Sequence, residues 1–386
     1  MRSFAFAVFF SIAILIYGAV NYYVFIRGWQ ALPRLPWLRA AYAGLFVLAA
    51  GSFIAGRFLE RTSCTALTTA MVWTGSFWLA FMLYLILSLV TLDLLRLSNA
   101  LFHWWPRAVI DHFQTAKLVA FGLILGGTAV AVIAGHVNAL RPRIERLEID
   151  IPKTTGSRRD LRIVMASDIH LGTIIGNGRL AKLVGMINAE KPDVILLAGD
   201  IVDEDVGRVI KNNLGETLKK LQAPLGVYGI TGNHEYIGGA AAAVDYLNAH
   251  GVTMLRDSVI VVDNSFSLAG REDRSGQRFD GRQRRALPDL LKDLDRSKPL
   301  ILMDHQPFDL EAAAAQGVDL QLSGHTHHGQ LWPLNFITNK VYELSWGYKK
   351  KGDTHFYVSS GYGTWGPPVR LGNRPEIVVI TLRFTR

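Results

Sequence analysis

Seven potential metal ligands and one further histidine sit in five short clusters: Asp168-Ile-His170, Gly199-Asp200, Gly232-Asn233-His234-Glu235, His305, and Gly324-His325-Thr-His327. Four of the five clusters follow an apolar, β-branched-rich run, so their polar side chains emerge where buried strands end. Open α/β sheets build active sites at such strand ends. Carboxylate, imidazole and amide oxygen, with no thiolate, suit borderline to hard divalent ions such as manganese, iron, zinc or magnesium. Two such ions about 3.5–4 Å apart clamp the attacking and leaving oxygens of an in-line displacement. The chemistry indicated is hydrolysis of a phosphate ester.

Spacing refines this reading. In extended chain, residues i and i+2 face the same way, so Asp168 and His170 point together at one ion, and His325 shares that spacing with His327. The two oxygens of Asp200 suit it to bridge two ions. Asn233 offers a neutral amide oxygen, which leaves His234 free as a general acid or as a donor to a phosphoryl oxygen. Glu235 is placed to orient that histidine. Taken singly, Asp200 in a Gly-Asp turn reads as a loop cap, but five of the eight histidines after residue 142 fall in the clusters. His250 and His355 read as structural.

The elements that must position these residues lie between about Arg143 and Arg386. Leu161–Met165, Val194–Leu197, Val227–Ile230, Val259–Val262, Leu300–Met303, Val318–Leu322, Phe356–Val358 and Ile377–Leu382 read as strands. Asn177–Asn188, Val206–Leu221, Ala240–His250 and Leu287–Leu294 read as helices. This alternation predicts one α/β domain, with two sheets packed face to face and helices outside. The basic stretch 271–285 and the run Lys349-Lys350-Lys351 read first as solvated surface, and second as contacts for lipid phosphates or an anionic substrate.

Before residue 140 the composition is different. The chain is 50% hydrophobic, and the excess gathers in Phe4–Ile26, Ala40–Gly56, Thr69–Leu92 and Leu118–Gly135. A span needs about 20 apolar residues, which makes the second stretch the marginal one, so four spans are expected with three as the alternative. The first stretch is too long for a signal peptide core and reads as a retained anchor. Trp37, Trp104 and Trp105 fall at helix ends, as aromatic belts do, and Gly122 and Gly126 form a small-xxx-small pair. With no Asp, Glu, Lys or Arg well inside a stretch, an anchor or lipid-facing platform is favoured over a transporter. Up to Leu140 there are nine Lys or Arg against three acidic residues, so much of the net charge of +9 lies beside membrane segments and needs no nucleic acid to explain it. Basic residues divide six against six between the two sides. The dense Arg141, Arg143, Arg146 cluster tips the expectation toward a cytoplasmic catalytic domain. The single Cys64 fits either compartment.

The ordered blocks resemble the calcineurin-like metallophosphoesterase superfamily across residues 145–386. Ser167-Asp-Ile-His-Leu-Gly172, Gly324-His-Thr-His327 and Gly361-Tyr-Gly-Thr-Trp-Gly-Pro-Pro-Val-Arg370 resemble its membrane-attached bacterial branch, which includes phosphodiesterases and enzymes cleaving UDP-diacylglucosamine. The resemblance implies an α/β fold: an N-terminal helical transmembrane bundle (1–142), then a metallophosphoesterase β-sandwich flanked by helices (143–386). It implies two divalent ions, manganese foremost. Asp168, His170 and His327 would hold the first, Asn233, His305 and His325 the second, and Asp200 would bridge them, with His234 catalytic. A metal-bridging hydroxide would attack phosphorus in line. One departure stands out, since His328 occupies a position where the branch often has glycine. Arg370 is a candidate phosphate contact or structural ion pair, and Trp346, Tyr348 and Trp365 are candidates for an apolar pocket or for packing.

The expected protein is thus a multi-pass enzyme of the bacterial inner membrane acting on a lipid-linked phosphodiester or pyrophosphate, UDP-diacylglucosamine being one candidate. An anchored phosphodiesterase of soluble substrates and a catalytically silent receptor or scaffold are the alternatives.

Overall fold

The computed structural model describes residues 2–156 and 158–385. The chain divides into two compact units, Met1–Gly135 and His136–Arg386.

The first unit is helical: α1 (Arg2–Ala31), α2 (Pro36–Thr62), α3 (Ala66–Phe102), the short α4 (Arg107–Asp111) and most of α5 (Phe113–Ala139). Four of its helices are long and apolar enough to cross a membrane, by length and composition. Pro36 opens α2 at a position where the missing N–H costs nothing. Thr65 caps α3 by accepting from the Thr68 amide. At 37 residues α3 is about 55 Å long, well beyond the roughly 30 Å of a hydrocarbon core. Asp93 therefore lies in helix past the end of the apolar run, where it pairs with Arg27 and accepts from the Tyr23 hydroxyl at 2.7 Å. Close backbone approach occurs between α2 and α3, where a Cβ on Gly75 would strike the backbone of Phe53. A Cβ at Gly122 or Gly126 meets nothing within 4 Å in this chain.

The second unit carries two six-stranded sheets. Its elements run β1 (Arg143–Ile151), β2 (Asp160–Ala166), α6 (Asn177–Ala189), β3 (Val194–Ala198), α7 (Val206–Lys211), α8 (Gly215–Leu218), β4 (Val227–Ile230), α9 (Asn233–Gly238), α10 (Ala240–Ala249), β5 (Thr253–Met254), β6 (Ser258–Val262) and β7 (Phe266–Gly270). They continue through α11 (Gly276–Phe279), α12 (Leu287–Leu291), β8 (Leu300–Met303), α13 (Leu310–Ala315), β9 (Leu320–Ser323), α14 (Asn335–Val341), β10 (Gly347–Lys351), β11 (Thr354–Val358) and β12 (Glu376–Phe384). The strand orders are β1-β12-β2-β3-β4-β5 and β10-β11-β9-β8-β7-β6.

Within the first sheet β2, β3, β4 and β5 are parallel, and within the second β7, β8, β9 and β11 are parallel. The apolar faces meet in one core, with Ile163, Met165, Leu196 and Ile380 from the first sheet against Phe266, Ile301, Met303 and Leu322 from the second. Parallel strands buried on both faces need continuous apolar runs, and β3, Val-Ile-Leu-Leu-Ala, is buried at every residue. The single helix expected over Val206–Leu221 is broken into α7 and α8, because Asn213 takes a left-handed φ of 50° and ends the first piece. The stretch 271–285 is mostly exposed, as expected, and is pinned at its ends. Arg271 and Arg284 pair with Asp304, Arg282 pairs with Glu272, and Glu272 and Asp273 are buried.

Candidate metal centre

Every cluster lies just past the C-terminal end of a parallel strand. Asp168 and His170 follow β2, Asp200 follows β3, Asn233 and His234 follow β4, His305 follows β8, and His325 and His327 follow β9. Three of these strands belong to one sheet and two to the other, so the site sits where the ends of both sheets converge. The chain must turn sharply there. Asp168, His170, Asp200, His325 and His327 all have φ between 45° and 72°, a left-handed conformation that costs non-glycine residues energy and that gathers at functional sites. Gly199, at φ 87°, leaves room for the neighbouring ring, since a Cβ on it would lie 2.5 Å from His305 Nδ1.

Three groups of donors form among the described residues, and two of them hold the expected ligands. Ligand atoms of Asp168, His170 and His327 lie within 4.8 Å of one another, as do those of Asp200, His305 and His325. In the first, His170 Nε2 is 3.1 Å from His327 Nε2, which is 3.4 Å from Asp168 Oδ1. In the second, His305 Nε2 is 3.1 Å from Asp200 Oδ2, and His325 Nδ1 is 2.7 Å from Asn233 Oδ1. Asp200 Oδ2 also lies 3.9 Å from His170 Nε2, between the two groups.

The arrangement fits divalent cations on its own geometry. His305 Nδ1 donates to the Ala198 carbonyl at 2.8 Å, which fixes the tautomer and leaves Nε2 with a free lone pair. That buried Nε2 makes no hydrogen bond, although Asp200 is so near. An orphaned buried nitrogen beside a carboxylate is costly unless a cation takes both.

The electrostatics agree. Burial opposes charge on Asp200, yet His305, His234 and His170 outweigh it and hold the carboxyl well below its usual range. Burial, with His170 and Arg370 adding to it, keeps His327 neutral, and burial with His305 lowers His325 to about 4. Neutral His325 and His327 beside an ionised Asp200 are protonation states that ligate metal, whereas at His305 burial is outweighed by Asp200 and Asp168, which hold the ring well above its usual range, so that an ion there displaces its proton.

His234 falls in the third group, in which ligand atoms of His170, Asp203 and His234 lie within 4.8 Å of one another. Its backbone N–H donates to Asp200 Oδ1 at 2.9 Å, and its Nδ1 lies 3.1 Å from Asp203 Oδ1. Burial lowers its pKa, but Asp200 and Asp203 prevail and raise it to about 9. The partner that orients His234 is therefore Asp203, not the expected Glu235. Glu235 is buried and accepts from the amides of Gly232, Val202 and Asp200 at 2.7, 2.8 and 3.2 Å, tying the β3 and β4 loops together. Asp203 was missed in the sequence. Its signal is the spacing Asp200-x-x-Asp203, visible only once the loop is known to fold back on His234.

Arg370 is fully enclosed. Its guanidinium donates to the Gly361 and Gly363 carbonyls at 3.1 and 2.6 Å, and Nη2 lies 3.1 Å from His327 Nδ1. His328 is half-buried, with Nδ1 3.0 Å from Ser345 Oγ and its ring tilted against Trp346. Trp346 donates to Glu376 and is absorbed in packing, whereas Tyr348, whose hydroxyl pairs with His355 Nδ1, stays 43% exposed on β10. Trp365 is half exposed and is joined by Trp332. Gln330, three residues past His327, bonds the Trp365 backbone, and Trp332 is 52% exposed.

Comparison with known proteins agrees with this picture. The calcineurin-like phosphoesterase family matches residues 161–329. An uncharacterized metallophosphoesterase of Aquifex aeolicus is 33% identical over 262 residues, 66% of this chain and 98% of its own length. One of Campylobacter jejuni is 30% identical over 395 residues, covering 98% of this chain and 99% of its own. A transmembrane protein with metallophosphoesterase domain from Danio rerio is 34% identical over 269 residues, 66% of this chain and 61% of its own. Among solved structures, a 5'-nucleotidase precursor from Thermus thermophilus aligns with a TM-score of 0.37 and 15% identity, over 58% of this chain and 55% of that one. With divalent-metal donor clusters at the ends of both sheets, the chain belongs to the calcineurin-like metallophosphoesterases and is a metal-dependent phosphoesterase.

Proposed function

We propose that residues 143–386 form the catalytic domain of a membrane-anchored phosphoesterase with two divalent ions, manganese foremost, and that residues 1–142 form its anchor. Asp168, His170 and His327 would hold one ion, Asn233, His305 and His325 the other, and Asp200 both. The position of Asp200 between the two donor groups carries this reading. When bound, the ions supply positive charge and an activated water for displacement at phosphorus.

The chain's own residues do the rest. His234, held cationic by Asp200 and Asp203, hands a proton to the departing oxygen or donates to a phosphoryl oxygen. Glu235 fixes the β3 and β4 loops, so Asp200 and Asn233 keep their spacing. Arg370 positions His327 and the Gly361–Gly363 turn and does not itself touch phosphate.

The substrate class follows from setting. Four helices suited to a bilayer and two half-exposed indoles on the loops beside the site support a lipid-linked phosphodiester or pyrophosphate over a soluble one. UDP-diacylglucosamine is one such molecule. Bacterial inner-membrane placement with a cytoplasmic catalytic domain is part of the same reading. Its support by charge rests mainly on Arg141, since Glu376 engages Arg143 and Glu190 engages Arg146. A catalytically silent scaffold is disfavoured because all seven donors are present. Detergent-solubilised protein with manganese, offered aryl phosphodiesters, phosphomonoesters and nucleotide-linked lipids, tests the proposal. Turnover of the lipid-linked class is expected to exceed the others, and turnover of phosphomonoesters alone would overturn the substrate assignment.

A further inference from the structure

A cavity of about 1940 Å³ opens among α1, α2, α3, α4 and α5, wholly within the first unit. That is roughly twice the upper size of ordinary small-molecule pockets. Its two ends differ in chemistry. Arg27, Arg34, Arg39, Arg96 and Lys117 line one end, with Asp93 as the only carboxylate in the wall. Contacts tie four of these cations to a single level of the bundle: Arg27 and Arg96 both reach Asp93, Lys117 Nζ is 3.4 Å from the Gln30 carbonyl, and Arg39 stacks 5.0 Å over the Trp29 ring. The other end is apolar, walled by Leu45, Phe46, Phe77, Phe81 and Leu123.

The helical rise sets the depth. From Arg39 to Ala49 on α2, and from Lys117 to Leu125 on α5, the lining descends about 12–15 Å, and from Arg96 to Thr74 on α3 about 33 Å, so it runs from about half to the whole hydrocarbon thickness of a bilayer. The apolar length thus accommodates an acyl chain of at least one leaflet, and the cationic rim lies where a headgroup would sit. Net positive charge at that rim selects an anion, and the apolar length selects a chain-bearing one.

We propose that this cavity is a binding site for one anionic phospholipid, distinct from the metal centre, its phosphate held by the Arg34, Arg39, Arg96 and Lys117 rim and its chains lying along Phe77 and Phe81. The proposal rests on the four helices crossing a bilayer and not on the hydrolytic reading. The full chain is placed in phosphatidylcholine nanodiscs containing a minor fraction of phosphatidic acid, and retained lipid is read by native mass spectrometry. Selective retention of one phosphatidic acid is expected. Arg34→Gln and Lys117→Gln, singly and together, are expected to reduce that selectivity about fivefold per cation removed. Arg107→Gln, which removes a charge on α4 outside the cavity wall, is expected to leave it unchanged. Equal retention of phosphatidylcholine, an equal loss in Arg107→Gln, displacement by glycerol 3-phosphate, or a lipid-free dimer would each overturn the site. Carbonate extraction separates the two readings: protein held in the membrane pellet but without selectivity refutes the site alone, and protein released to the supernatant refutes the bilayer reading beneath it.

Discussion

Asp203 Oδ1 lies 3.1 Å from His234 Nδ1 and faces His170 Nδ1 at 3.6 Å, so one carboxylate holds the candidate acid and reaches toward a donor of the first metal group. Removing that charge while keeping the shape separates its roles. Asp203→Asn is expected to lower kcat by roughly 10²-fold with little change in KM, whereas a purely structural role would move thermal stability and leave the pH profile alone.

The same pair sets a pH dependence in the metal-free protein. The folded-state pKa of His234 is raised from 6.5 to about 9 because Asp200 and Asp203 outweigh burial. Its contribution to stability is therefore fully present below about pH 6.5 and is lost as pH rises through about 9. Urea unfolding of chelator-treated protein across that window is expected to show the decline, and Asp203→Asn is expected to flatten it.

Glu235 satisfies three amide donors, from Gly232, Val202 and Asp200, and it is 1% exposed. Glu235→Ala leaves all three without a partner. The expected loss is roughly 3 kcal/mol or more, read by chemical denaturation, with weaker metal binding because the β3 and β4 loops lose their tie.

Arg370 offers a comparable test on the other sheet. Arg370→Met removes donors from the Gly361 and Gly363 carbonyls and from beside His327. A loss of about 2–4 kcal/mol in stability is expected, together with a lower affinity for the first metal. Arg370→Lys is expected to recover part of each, since one ammonium cannot reproduce the guanidinium's fork.

The parts of the fold legible beforehand are those with a strong period or a strong turn. Continuous apolar runs announced β2, β3, β4, β8 and β9, and the polar clusters beyond them marked strand ends. What escaped depended on partners far along the chain. Strand β1, Arg-Ile-Glu-Arg-Leu-Glu-Ile-Asp-Ile, alternates charge with aliphatic residues and becomes a strand by pairing with β12 more than 230 residues later. The Lys349–Lys351 run reads as surface, and it is surface, but on the edge strand β10, where lysines discourage further pairing. In the site, ligand types and order were readable because metal chemistry restricts residue choice. The exchange of roles between Glu235 and Asp203 was not, since Glu235 adjoins His234 in sequence while Asp203 lies 31 residues before it, and only the fold shows which one turns toward the ring.

The central claim is that Asp168, His170, Asp200, Asn233, His305, His325 and His327 assemble a two-ion hydrolytic centre with His234 as its acid. It is tested most directly by measuring bound metal per chain alongside aryl phosphodiester hydrolysis in manganese, for the parent protein, Asp200→Ala and His234→Ala. Two ions and turnover in the parent, loss of both metal and turnover in Asp200→Ala, and retained metal with turnover reduced at least about 10²-fold in His234→Ala are the expected results. Full activity in both variants, or unchanged metal content in Asp200→Ala, would contradict it.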